Sequence, residues 1–146
     1  MSDTQTENEV ISGLKVINAK TYELTPSEIP QKVLEGRPTF SETILWISED
    51  ESRLSGIWSS TVGKWECVWP WHETCHLLEG QLEMIDHLGK SVILNPGDMF
   101  HCIKGAKHIF NVLQPVRKLM FLFHDSSIPD TCADLIEKRG SQYQRN

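Results

Sequence analysis

The chain has 146 residues, 39% of them hydrophobic and 23% charged, a length and balance that fit one soluble globular domain able to bury a core without disulfide support. Its formal net charge of −6, with Lys and Arg scattered, leaves no basic footprint for nucleic acid and no basic amphipathic face for a membrane surface. No apolar run approaches the ~20 residues needed to span a bilayer, and the polar, acidic start at Met1–Val10 lacks the pattern of a signal peptide, so a cytoplasmic protein is expected.

Residues 1–9 read as a frayed tail. From Val10 to about Pro38, short apolar pieces are broken by Pro26, Pro30 and Pro38, as in edge strands and turns leading into a larger sheet. Short strands are then expected over 43–48, 53–59, 64–69, 73–78, 81–86, 91–94, 99–103, 108–113 and 117–123. Turn signals separate them at Glu79-Gly80, Leu88-Gly89, Asn95-Pro96-Gly97-Asp98, Lys104-Gly105 and Gln114-Pro115. That spacing implies an all-β sandwich or barrel occupying residues 10–125. Near the end, Asp130 or Thr131 can cap a short helix over 132–138 that Gly140 stops, within a C-terminal helix and tail spanning 126–146. Cys67, Cys75, Cys102 and Cys132 lack zinc-ribbon or CxxC spacing and are expected as reduced, buried thiols.

The segment from Gly63 to Asn111 carries two spaced motifs. Glu73 stands seven residues before Gly80, and Gly97, Gly105 and His108 follow with Asn111 close behind. This arrangement resembles the two motifs of the cupin superfamily, with Ile103 in place of the second motif's Pro. Further elements are Ser55-Gly56-Ile57-Trp58, Gly63-Lys64-Trp65, Pro96-Gly97-Asp98-Met99-Phe100 and Val116-Arg117-Lys118. Together they resemble the short single-domain cupins similar to ureidoglycine aminohydrolase and the ethanolamine-utilisation cupin domains. The resemblance implies a jelly-roll barrel and a homodimer.

Metal-bearing cupins take two His and a Glu from the first motif and one His from the second. The places of the two first-motif His hold Cys67 and Trp69 here, so the resemblance leaves Glu73 and His108, with Cys67 as a third ligand if it is a thiolate. A divalent Zn, Fe, Mn or Ni ion on these three residues is therefore one expectation, and no cofactor at all is the other. Period-two alternation anchored on an inward Glu73 turns Cys75 and Leu77 inward and His72 and His76 outward.

Glu73 and His108 are the expected catalytic pair, since a carboxylate facing an imidazole can move protons near neutral pH. Trp69 and Trp71 share the parity of Glu73 unless Pro70 breaks it, and with Cys75 and Phe110 they form the expected ligand-binding wall. Packing alone would also account for these aromatics. Two functions stay open: an enzyme acting on a small polar metabolite, hydrolase-like on amide or ureido groups or isomerase-like, and a non-catalytic cupin that binds or senses one.

Overall fold

The computed structural model describes residues 8–28 and 32–124. The described residues form eleven strands: β1 (Asn8–Ile11), β2 (Leu14–Val16), β3 (Thr25–Pro26), β4 (Val33–Gly36), β5 (Phe40–Ile47), β6 (Arg53–Ser60), β7 (Gly63–Val68), β8 (His72–Ile85), β9 (Ser91–Leu94), β10 (Met99–Cys102) and β11 (Lys107–Phe123). β1 begins inside the stretch read as a tail. The expected helix over 132–138 lies outside the described residues. β1 and β2 pair as a hairpin, and the other nine strands make one antiparallel sheet that curls into the jelly-roll barrel.

Two long strands hold the barrel together. β8 pairs with β10 through its first half and with β9 through its second, while β11 pairs with β7 first and then with β6. β8 and β11 also lie side by side from His72–Phe123 to Ile85–Ile109. Each strand therefore passes from one side of the barrel to the other, which is how a single sheet turns a corner.

The sequence expectation of turns at Glu79-Gly80 and Gln114-Pro115 is corrected here. Both are bends inside continuous strands, with the ladder slipping register between Val112 and Lys118. Gly80 has φ of +88°, and a Cβ there would sit 2.0 Å from the Pro115 carbonyl oxygen. Only glycine allows so close an approach at that backbone angle, and Pro115, which has no N–H, fits where the ladder is broken. The bend also flips the strand's parity: Glu73, Cys75 and Leu77 are buried before Gly80, and Leu82 and Met84 after it.

The core fills the barrel between the two halves. Trp65 stacks on Phe110 with ring centroids 5.0 Å apart and 14° between planes, and Trp69 leans on Phe110 from 5.5 Å. Leu77, Leu82 and Val112 complete it from β8 and β11. Outside the barrel, Arg117 donates from Nε to the Ala19 carbonyl at 2.8 Å and from Nη2 to the Tyr22 carbonyl, tying the N-terminal segment to β11.

Candidate functional site

A cavity of about 200 Å³ occupies the barrel beside β5, β6 and β11. Its walls are aromatic, with Phe40, Trp58, Trp65, Trp69, Trp71 and Phe110 among the lining residues. Phe40 sits 4.8 Å from Trp58 and 4.9 Å from Trp65, centroid to centroid, so this wall is continuous. Toward solvent the lining includes exposed Glu28 and Ile44, which mark the mouth.

Glu73 lies on the wall, as its inward parity requires, but its partner is Lys118 rather than His108. The Lys118 ammonium donates to Glu73 Oε2 at 2.8 Å, and both side chains are only 4% exposed. Trp71 donates its indole N–H to Glu73 Oε1 at 2.9 Å, and the Cys75 thiol donates to Oε2 at 3.1 Å. The ammonium also lies 4.7 Å from the centroid of the Trp58 ring and 5.5 Å from that of Trp69, within cation–π range. A buried carboxylate and a buried ammonium are each costly alone, and their pairing offsets much of that cost.

Burial works against the charge on Lys118, but Cys75, Glu73, Cys102 and the hydrogen bond to Glu73 outweigh it and raise its pKa above the ordinary lysine value. Cys75 and Cys102 are free thiols. Burial, reinforced by the Glu73 charge, pushes Cys75 well up and Cys102 up to about 12, so both remain protonated at neutral pH. Among their neighbours, Glu73 is then the charge that holds the proton on Lys118.

The remaining expected residues divide. Trp69, Trp71, Phe110 and Cys67 line the cavity, so the parity across Pro70 holds. Cys75 points inward but is fully buried and does not line the cavity. Cys67 is disulfide-bonded, which corrects the expectation that it is a reduced thiol and removes its thiolate.

His108 is not in the cavity lining. Its Nδ1 accepts the Trp69 indole N–H at 2.8 Å, and the Trp69 ring also contacts Phe110 and lies near Lys118, so the indole separates the imidazole from the ion pair. Burial lowers the His108 pKa. His72 and His76 are on the outward parity, and His72 stacks on Phe123 at 5.0 Å and His101 at 5.7 Å.

Sequence reasoning missed Lys118 and Glu42. The signal for Lys118 was present. In Val116-x-Lys118-x-Met120-x-Leu122 a lysine occupies the inward register of an otherwise apolar strand, and all four are buried. Glu42 lines the cavity from β5 with its pKa raised by burial and by the carboxylates of Glu28 and Glu73. Its signal was present as well: in Phe40-x-Glu42-x-Ile44 a glutamate shares the register of two apolar residues, and all three line the cavity.

The donor set does not fit a divalent metal. Both Glu73 oxygens are already engaged, one of them by an ammonium, and Cys67 is oxidised. Among the described residues, no group of three or more His, Cys, Asp or Glu is placed to hold an ion.

The EutQ-like cupin domain model matches residues 47–119, half the chain and the part that carries the ion pair. The chain belongs to the family of EutQ-like cupin domains. Among solved structures, this cupin is similar to the EutQ protein of Clostridium difficile, at 18% identity over 84% of this chain and 97% of that one, with a TM-score of 0.62. It is similar also to a putative ethanolamine utilization protein of Salmonella typhimurium, at 21% identity, 81% and 92% coverage and a TM-score of 0.62. An ectoine synthase from P. lautus matches at 18% identity, covering 75% of this chain and 78% of that one, with a TM-score of 0.53. At these identities the likeness is one of fold. No curated protein matches the chain. Among the described residues no helix is long and apolar enough to cross a membrane.

Proposed function

We propose that this cupin binds a small polar metabolite in the aromatic cavity and acts on it by proton transfer through Lys118 and Glu73. The observation that carries this reading is the buried 2.8 Å ion pair opening onto a cavity of about 200 Å³. Aromatic walls with a few convergent polar groups are how small-ligand sites are built. Lys118 is held protonated and can donate to a ligand oxygen or nitrogen as charge develops there. Glu73 balances that charge and can take a proton in return. That the fold accommodates enzymes is illustrated by the P. lautus neighbour, named as an ectoine synthase. Amide or ureido hydrolysis, suggested by the sequence resemblance, is one reaction of this kind, and isomerisation is another.

The experiment is a screen of small polar metabolites for quenching of the cavity tryptophans, followed by turnover assays on each binder. With Glu73→Gln, which keeps shape but cannot take a proton, binding should persist and turnover should fall by roughly two to four orders of magnitude. Binding without turnover in the wild type would refute the catalytic part and leave a sensing or carrier cupin. A cavity that no compound enters would refute the whole reading.

A further inference from the structure

The cavity's charged groups are ordered in a row. Glu42 on β5 is the cross-strand partner of Trp58 on β6, and Trp58 is the partner of Lys118 on β11. All three line the cavity. Neighbouring strands lie about 4.8 Å apart, so the Glu42 and Lys118 backbones are separated by about 10 Å. Trp58 forms the floor between an anion and a cation.

The two ends differ in what they lack. Lys118 has three N–H donors, and among the described residues one goes to Glu73 and the ammonium has no other oxygen or nitrogen acceptor. The Glu42 carboxylate makes no hydrogen bond or ion pair among the described residues, and its charged neighbours on the lining are the carboxylates of Glu28 and Glu73. One end therefore offers a donor and the other an acceptor with negative charge. The indole between them already carries the Lys118 ammonium 4.7 Å from its centroid, so a second cation is drawn to the Glu42 end.

Building on the reading of the cavity as a ligand site, we infer that its ligand is a small molecule with two unlike ends: an ammonium that pairs with Glu42, and a carbonyl or carboxylate that accepts from Lys118, with the chain between them lying across Trp58. Simple amines and simple carboxylic acids each satisfy one end alone. Zwitterionic amino acids and amino amides satisfy both.

The test uses the full-length protein and a ladder of ω-amino acids from glycine to 6-aminohexanoate, with n-butylamine, butyrate and acetamide as controls. Binding is read by tryptophan quenching and by calorimetry. The best amino acid should bind at least ten-fold more tightly than n-butylamine or butyrate. Glu42→Gln should weaken the amino acid and n-butylamine by ten-fold or more while leaving butyrate unchanged. Glu42 is only half-buried on the cavity wall, so this substitution should leave the fold intact, and an unchanged thermal transition or a raised one would verify that. If singly charged probes or acetamide bind as well as every amino acid, or if Glu42→Gln leaves the amino acid's affinity unchanged, the inference is wrong while the cavity remains a ligand site. If no probe binds, the inference and its premise fall together.

Discussion

The Trp69 indole donates its N–H to His108 Nδ1 at 2.8 Å, so the imidazole is neutral, with its remaining proton on Nε2. Burial lowers its pKa, and Asp86 pulls upward and His87 downward by lesser amounts. The unfolded state therefore takes up this proton first as pH falls. The stability His108 provides is complete above its ordinary pKa of 6.5 and is lost as pH drops below that value. Tryptophan emission and thermal stability should change together on acidification from pH 7.5 to 5. In His108→Ala the emission change should disappear, at a cost of about 1–3 kcal/mol for leaving the buried indole N–H unpaired. An acid transition of the same size in the variant would contradict this account.

Removing one member of the buried ion pair should harm the protein far more than removing both. Lys118→Met strands the Glu73 carboxylate in the barrel and should cost about 3–5 kcal/mol. The double substitution Glu73→Gln with Lys118→Met should recover most of that loss, because neither charge is left alone. Chemical denaturation of the two single variants and the double variant measures the coupling. Additive losses would show that the two groups act independently.

Glu42 should behave in the opposite way. Its pKa is raised by burial first and then by Glu28 and Glu73, so its ionisation costs stability in the ligand-free barrel. That cost is fully present above the raised pKa and is relieved as pH falls toward the ordinary value of 4.5. Glu42→Gln should raise stability at pH 7 by about 0.5 kcal/mol, a modest gain because solvent screens the partly exposed group. The gain should shrink at pH 4.5. A variant that is less stable at pH 7 would reverse the assignment.

Gly80→Ala tests the corner of the barrel. The new methyl group would meet the Pro115 carbonyl oxygen at 2.0 Å on a backbone with φ of +88°. Strain at such a site costs about 1–3 kcal/mol even without a clash, so a loss of 3 kcal/mol or more, or failure to fold, is expected. Gly89→Ala is the control, because it has nearly the same φ of +89° but nothing within 4 Å of the added atom. Equal losses at the two positions would assign the whole effect to the backbone angle and none to the contact with Pro115.

What the sequence determined by itself was the barrel and one side of the site. Motif spacing and period-two alternation put Glu73, Trp69 and Trp71 on one wall and turned His72 and His76 outward, because parity along a strand is a local property. Two bends escaped it. Glu79-Gly80 and Gln114-Pro115 carry the residues of turns, and only the facing strand shows that Gly80 accommodates the Pro115 carbonyl while both chains run on.

The partner of Glu73 was decided by tertiary structure. Lys118 reaches it from 45 positions along the chain because β8 and β11 lie side by side with a slipped register. His108, at the motif position, is held away behind the Trp69 indole. Strand alternation states which face a side chain occupies. It does not state which of several inward groups will meet, since that depends on the register between strands far apart in sequence and on the aromatic ring that fills the space between them.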